Sequence, residues 1–558
     1  MGVLGLKRRV RHVHGRLCCL PLLIFASALL AFILLSPTSF PCTPKPSTTV
    51  SFSPTLPPHE AVDAAQILSR QDFPRNFIFG TASSAFQYEG AAGVDGRGPS
   101  IWDTFSRKEG NILDGANADV SCDQYHLYKE DITLMTNMGV DAYRFSISWP
   151  RLFPEGRGRL NKLGVAYYDN LINALVEAGI APYVTLYHWD LPQALHDAYG
   201  GWLSSSVIDD FAVYADTCFK LFGDRVKHWI TFNEPNIFIQ MGYDLGNFAP
   251  RRCSSWIKDC NAGNSATEPY IAAHNVLLSH AAVVDIYRKQ YQMKQHGSIG
   301  ISISVNWYIP LRDTDEDANA VQRIFAFQLG WFLDPLTEGN YPAVMHELVG
   351  ERLPSFTEEQ KNNLKHSCDF IGINHYTTTY TAAINLTWDS NHTDYFRDSL
   401  TSLSSERDGT PIGPRAASEW LYIIPSGIYH VVKYVKDKYN LPIFITENGM
   451  DDADNGSLPL NHALQDLKRV QFHADYLYYL AAAIREGVDV WGYFAWSLLD
   501  NFEWVSGYTL RFGLHFVDYT TSKRYPKASA RWFKDFLARN STQSTHSKWW
   551  PLSCASSR

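Results

Sequence analysis

The chain has 558 residues, 45% of them hydrophobic and 14% aromatic, with a formal net charge of −8 at pH 7. That length allows several ordinary domains or one large one. Charges of both signs are interspersed, with no basic run beyond the N-terminus, which excludes the electrostatic footprint of a nucleic-acid-binding protein.

The first residues stand apart. Lys7, Arg8, Arg9, Arg11 and Arg16 precede Leu17–Leu35, an uncharged apolar run that would span roughly 28 Å as a helix. It exceeds the usual signal h-region of about 7–15 residues, and the basic flank ahead of it places the N-terminus in the cytosol and the rest in the lumen. Residues 1–35 therefore read as a cytosolic basic tail followed by either a long cleaved signal peptide or the anchor of a type II membrane protein. Both readings send the remainder into the secretory pathway, as a lumenal or extracellular domain, with the vacuole or apoplast as destination if it is released. Residues 36–68 are rich in Ser, Thr and Pro and read as an extended linker. The folded domain is expected over 69–540, with a C-terminal tail over 541–558.

From Ser69 onward, short apolar runs alternate with helical patterns. "NFIFGTASS", "DAYRFSIS", "YVTLYHW", "HWITFNE", "SIGISIS", "DFIGINHY", "IFITENG" and "DVWGYFAWS" read as eight strands. Between them, "YHLYKEDITLMTNMG" and "YYDNLINALVEAG" carry apolar residues at helical spacing and close on Gly139 and Gly179, the expected helix C′ positions. Eight βα units predict one α/β domain, a single (β/α)8 TIM barrel with loop insertions over 250–268 and 386–410. A doubly wound open sheet shares this rhythm, but no GxGxxG follows the first strand. Cys253 and Cys260 close a short polar loop and, in an oxidising compartment, predict a disulfide. Sequons at Asn385, Asn391, Asn455 and Asn540 mark N-glycosylation positions for the same compartment. No paired CxxC or HExxH is present, so neither a metal site nor a cofactor is expected.

Polar residues gather where the strands end. Gln87 follows the first, His188 the third, Asn233 and Glu234 the fourth, Asn374 and Tyr376 the sixth, Glu447 the seventh and Trp496 the eighth. In a barrel these ends share one face, so Glu234 and Glu447, on opposite strands, can flank one bond. Two carboxyl groups across a cleft supply what glycoside hydrolysis needs: one protonates the leaving oxygen, the other attacks or stabilises the anomeric carbon. The competing reading makes each Glu an ion-paired structural residue.

"TFNEP" and "ITENG", with "SAFQYEG", "YHWDLP", "GINHYT" and "WSLLDNFEW…RFG" in order, resemble glycoside hydrolase family 1, the β-glucosidases and their relatives. The likeness extends over nearly all of 69–540, and "CSSWIKDC" and "FQLGWFLDPLTEGNYP" resemble its plant members. The resemblance implies a retaining β-glucosidase with Glu234 as acid/base and Glu447 as nucleophile, Tyr376 and Arg144 holding the nucleophile, and Asn233 donating to the sugar 2-OH. By the same likeness Gln87, His188, Trp189, Asn374, Trp496, Glu503, Trp504 and Phe512 bind the sugar, and Trp420 stacks on the leaving group. His375 departs from the Tyr common at its position, and the apolar N-terminus is not a family feature.

Three readings follow. One is hydrolysis of O-linked β-D-glucosides of small aglycones or short oligosaccharides, which makes a small glycoside the partner. Another is transglucosylation through the same glucosyl-enzyme. A third, a non-catalytic sugar-binding barrel, conflicts with retention of both carboxylates. Thioglucosidases that resemble this chain carry Gln where Glu234 stands. Membrane anchoring through residues 17–35 is the other partner expectation, and the oligomeric state is not legible.

Overall fold

The computed structural model describes residues 68–538, apart from 386–391, 455 and 457. Eight strands close into one barrel in chain order. They are β1 (Ile78–Ala82), β2 (Ala142–Ser146), β3 (Ala181–Tyr187), β4 (His228–Asn233), β5 (Ser298–Ser304), β6 (Phe370–Asn374), β7 (Ile443–Asn448) and β8 (Val490–Ala495). Each pairs in parallel with its neighbours and β1 closes on β8. The architecture is the (β/α)8 barrel, and the open-sheet alternative is excluded.

The strands form where Ile, Val, Phe and Tyr dominate, because both faces of a barrel strand are covered. The intervening helices end where glycine can take a left-handed backbone. Helix Gln124–Met138 stops at Gly139, φ +75°, whose N–H bonds to the Met135 and Thr136 carbonyls. Lys162–Glu177, started by the Asn161 side chain on the Leu163 N–H, is followed by Gly179 at φ +74°.

Aromatic rings plug the barrel. Tyr183 of β3 stacks on His228 at 4.1 Å and reaches across to Phe444 of β7 at 5.5 Å and Phe494 of β8 at 4.9 Å. Gly80 makes room, since a Cβ there would lie 2.5 Å from the Phe494 ring. Above this aromatic floor, polar side chains collect at the strands' C-terminal ends.

Two insertions frame those ends. The loop after β4 is closed by the expected Cys253–Cys260 disulfide, Cα–Cα 5.6 Å. The stretch 386–410 is less of a loop than its composition suggests. Its described part holds helix Tyr395–Asp398 and strand Thr401–Ser404, which pairs with Thr378–Ala383 and, through it, joins Trp307–Pro310 in a three-stranded sheet. Short, half-polar strands of this kind lack the apolar alternation that reveals a strand.

No helix among the described residues is long and apolar enough to cross a membrane. The segment 17–35 and the tail 541–558 lie outside the described residues, as do the sequons at Asn391, Asn455 and Asn540. Asn385 is exposed, just past strand Thr378–Ala383.

Candidate active site

The polar ends of β2, β4, β6 and β7 are tied around one guanidinium. Arg144, midway along β2 and fully buried, donates from Nη1 to Glu447 Oε1 at 2.6 Å and from Nη2 to Asn233 Oδ1 at 2.5 Å. Tyr376, two residues past β6, donates its hydroxyl to Glu447 Oε2 at 2.7 Å. Each oxygen of Glu447 thus has its own donor, one of them cationic, and the carboxylate's orientation is fixed.

Glu234 is held differently. It follows β4 with φ 47° and ψ 57°, directly before Pro235, which starts helix Pro235–Ile239. A following proline disfavours the right-handed helical region; Glu234 leaves the strand in a left-handed turn, and its N–H bonds to Ser302 O at 2.8 Å. Its buried carboxyl accepts from Asn374 Nδ2 at 2.8 Å and has no ion-pair partner at bonding distance. Burial first, and the Glu447 charge second, push it up to about 8 against the pull of Asn374 and Arg144.

Two amides join the halves. Asn374 also donates to Asn233 Oδ1 at 3.0 Å and accepts from Thr446 Oγ1 at 2.6 Å. With Asn233 Oδ1 receiving two donors, its Nδ2 faces His188 Nε2 at 3.0 Å. That ring nitrogen accepts, so the proton lies on Nδ1, which has no protein partner. Burial, with Arg144 nearby, keeps the imidazole well below its usual value and neutral.

Around this centre stand the aromatic residues. Trp496 and Trp504 lie near-parallel to His188 at 5.8 and 5.9 Å. Gly449 allows Trp496 to sit against β7, since a Cβ there would meet the Trp496 carbonyl at 1.9 Å. Trp189 packs on Trp504 at 4.4 Å and donates its indole N–H to Asn233 O at 2.9 Å, so its polar edge serves the protein. Phe512 and Trp420 meet Tyr376 edge-on at 6.2 and 5.8 Å. Trp420 is 53% exposed where the others are buried, an open ring at the rim. Gln87 spends both amide hydrogens on Asn501 Oδ1 and Phe502 O. Glu503 keeps Oε2 buried without a partner, and burial, then the charges of Asp451, Glu447 and Glu234, raise its carboxyl well above the usual range.

Hydrogen bonds and ring contacts thus join Arg144, Asn233, Glu234, Asn374, Tyr376 and Glu447 with the surrounding rings, while Gln87 is tied to the Asn501 side chain and the Phe502 carbonyl beside Glu503. Sequence reasoning passed over several others. Thr446 fixes Asn374, and Asn501 holds Gln87. Asp451 accepts from the Ser418 hydroxyl and the Ala417 and Ser418 N–H groups, tethering the segment that bears Trp420. The available signal was the run of polar residues within and just after a strand buried on both faces, "TENGMDD". His375, the departure from the family pattern, is a buried neutral ring whose Nδ1 bonds to Val305 O at 2.9 Å, with burial pushing it down to about 4. Among the described residues no group of three His, Cys, Asp or Glu is arranged to hold a metal ion.

Two carboxyl groups in unlike settings at the C-terminal face of a (β/α)8 barrel mark a glycosidase. The model of glycosyl hydrolase family 1 matches residues 69–542, and the chain belongs to that family. It is 57% identical over 481 residues to "Beta-glucosidase 40" of Arabidopsis thaliana, covering 85% of this chain and 94% of that one. It is 52% identical over 486 residues to "Coniferin beta-glucosidase" of Pinus contorta, covering 86% and 94%. Among solved structures, a mutant of rice Os3BGlu6 β-glucosidase in covalent complex with glucose superposes with a TM-score of 0.84 at 53% identity, covering 85% of this chain and all of that one.

Proposed function

We propose that this protein is a retaining β-glucosidase in which Glu447 is the nucleophile and Glu234 the acid/base. The observation that carries the assignment is the asymmetry of the pair: Glu447 is bonded by the Arg144 cation and Tyr376, Glu234 by neutral groups alone, Asn374 and Ser304. A buried carboxyl lifted to about 8 holds its proton at neutral pH and can give it to the glycosidic oxygen. As that proton transfers, Glu447 attacks C1, the aglycone leaves as an alcohol, and a covalent glucosyl-enzyme remains. Glu234, now ionised, takes a proton from water, whose oxygen attacks C1 and frees Glu447. Two displacements return the β-anomer.

Glu503, His188 through Nδ1–H, Trp496 and Trp504 form the sugar-binding wall in this reading, and Gln87, Phe512 and Trp189 complete it. Trp420 offers its exposed face to the aglycone, so aromatic aglycones head the panel to test. The barrel spans 69–540. A leader or anchor over 1–35 and a linker over 36–68 would deliver it to an oxidising compartment, where the Cys253–Cys260 bridge and a glycan on Asn385 are at home. The test is proton NMR of the first-formed sugar from nitrophenyl β-glucoside, with a panel of aryl and alkyl glucosides and oligosaccharides. Early α-glucose, or no turnover of any β-glucoside, overturns the proposal.

A further inference from the structure

Beyond the groups that touch Glu447, the helix Leu467–Arg485 outside the barrel reaches toward it by two side chains one turn apart. Tyr476, fully buried, donates its hydroxyl to the Tyr376 carbonyl at 3.1 Å. His473 Nδ1 lies 2.7 Å from the Tyr493 hydroxyl of β8, which lies 2.7 Å from Asn448 Oδ1, and Asn448 Nδ2 donates to the His375 carbonyl at 2.6 Å. The His375 N–H in turn donates to the Glu447 carbonyl at 3.0 Å.

The proton positions in this chain are forced. A carbonyl only accepts, so the Asn448 NH2 must face His375 O and its Oδ1 must face Tyr493. Tyr493 therefore donates its one proton to Asn448, and His473 must donate from Nδ1. Burial, aided by Arg469, keeps His473 neutral at about 3, and its Nε2 has no partner. Both branches end on consecutive carbonyls, those of His375 and Tyr376, in the short segment that delivers the Tyr376 hydroxyl to Glu447 Oε2.

We infer that Tyr476 and the His473–Tyr493–Asn448 chain are positioning residues for the reaction: they fix the backbone at 375–376 so that Tyr376 orients the Glu447 carboxylate for attack. The inference rests on Glu447 being the nucleophile. The mechanism is indirect: these residues touch no substrate and act through Tyr376. Removing either hydroxyl leaves a buried acceptor unpaired and releases the segment by a fraction of an ångström, enough to misalign an attacking oxygen.

The test uses the full-length protein and trapping by 2-deoxy-2-fluoroglucosyl fluoride, followed by intact mass and peptide mapping. A label on Glu447 establishes the underlying reading, and a label elsewhere overturns that reading independently of the positioning residues. Tyr476→Phe and Tyr493→Phe are each expected to slow the trapping rate about tenfold at unchanged Ki for glucose, so that kcat falls and KM does not rise. Tyr376→Phe supplies the second axis of a double-mutant cycle. If Tyr476 acts through Tyr376, Tyr476→Phe costs less than twofold in the Tyr376→Phe background, and the same holds for Tyr493→Phe. Equal losses in both backgrounds, or trapping at the parent rate in either single variant, overturn the inference. Should one single variant fail to fold, the other completes its own cycle.

Discussion

At the scale of the residue, the site works because two chemically identical side chains are given different surroundings. Glu447→Gly should abolish hydrolysis, and azide with β-glucosyl fluoride should restore turnover, displacing fluoride from the opposite face to yield the α-glucosyl azide, read by NMR. Glu234→Ala should spare glucosides with good leaving groups such as dinitrophenol and cost those with poor ones at least a hundredfold, as general acid catalysis contributes about 10²–10⁴-fold. Equal losses on both types would refute the acid/base assignment. The acid form of Glu234 exists below about 8, so kcat/KM for an alkyl glucoside should fall as pH rises through that value. In Glu234→Gln this basic limb should vanish. Glu503 argues for an unphosphorylated sugar. Its unpaired Oε2 can exchange hydrogen bonds with neutral sugar hydroxyls, each contributing about 0.5–1.5 kcal/mol, whereas the charges of Asp451 and Glu447 that already raise its carboxyl would disfavour a phosphate dianion beside it. A higher kcat/KM for nitrophenyl glucoside 6-phosphate than for nitrophenyl glucoside would refute that reading.

At the scale of the element, the loops carry what the strands do not. The segment bearing Trp420 is a short turn closed by the antiparallel Arg415–Tyr422 bridge and the Ala416 N–H on Leu421 O, and it is pinned to the barrel by Asp451, just after β7. Asp451→Ala should raise KM for aryl glucosides severalfold while leaving trapping by the fluoroglucosyl donor, whose leaving group has no ring to stack, within twofold. An equal fall in both would place Asp451 at the sugar rather than the aglycone. The loop after β4 depends on its bridge in the same way. For a short closed loop the cross-link is worth about 2–3 kcal/mol. Cys253→Ser with Cys260→Ser should therefore expose 250–262 to proteolytic nicking, seen by mass mapping, while the barrel stays intact.

At the scale of the whole molecule, buried ionisable groups shape stability against pH. His228, His274, His280, His375 and His515 are pushed by burial down to about 4, and His473 to about 3, so each binds a proton more readily when unfolded. These six favour folding increasingly as pH rises through the acid range, up to about 6.5, the ordinary histidine value. Buried Asp190, Asp244 and Glu234 are raised to about 7, 8 and 8, and hold protons that the unfolded chain releases. They disfavour folding progressively above the usual carboxylate range. The histidine effect is larger below about 6.5 and ends there, while the carboxyl effect continues, so a scan of Tm should peak near pH 6.5. A maximum below 5 or above 8 would refute this balance. What the sequence by itself determined was everything set by local chemistry. Apolar runs of barrel-strand length, glycines at helix ends, the alternation that makes eight βα units and the placing of Glu234 and Glu447 at strand ends are all readable because they repeat with the period of the backbone. The tertiary structure alone decided how those ends differ. Asn374, from β6, bonds the acid; Arg144, from β2, pairs with Glu447; Tyr493 and Tyr476 reach the same segment from β8 and an outer helix. A carboxyl's proton affinity is the sum of burial and of the charges and donors brought near by closure of the barrel, and while strand order and family likeness pointed to which groups meet, the size of that sum is set only by the closed structure.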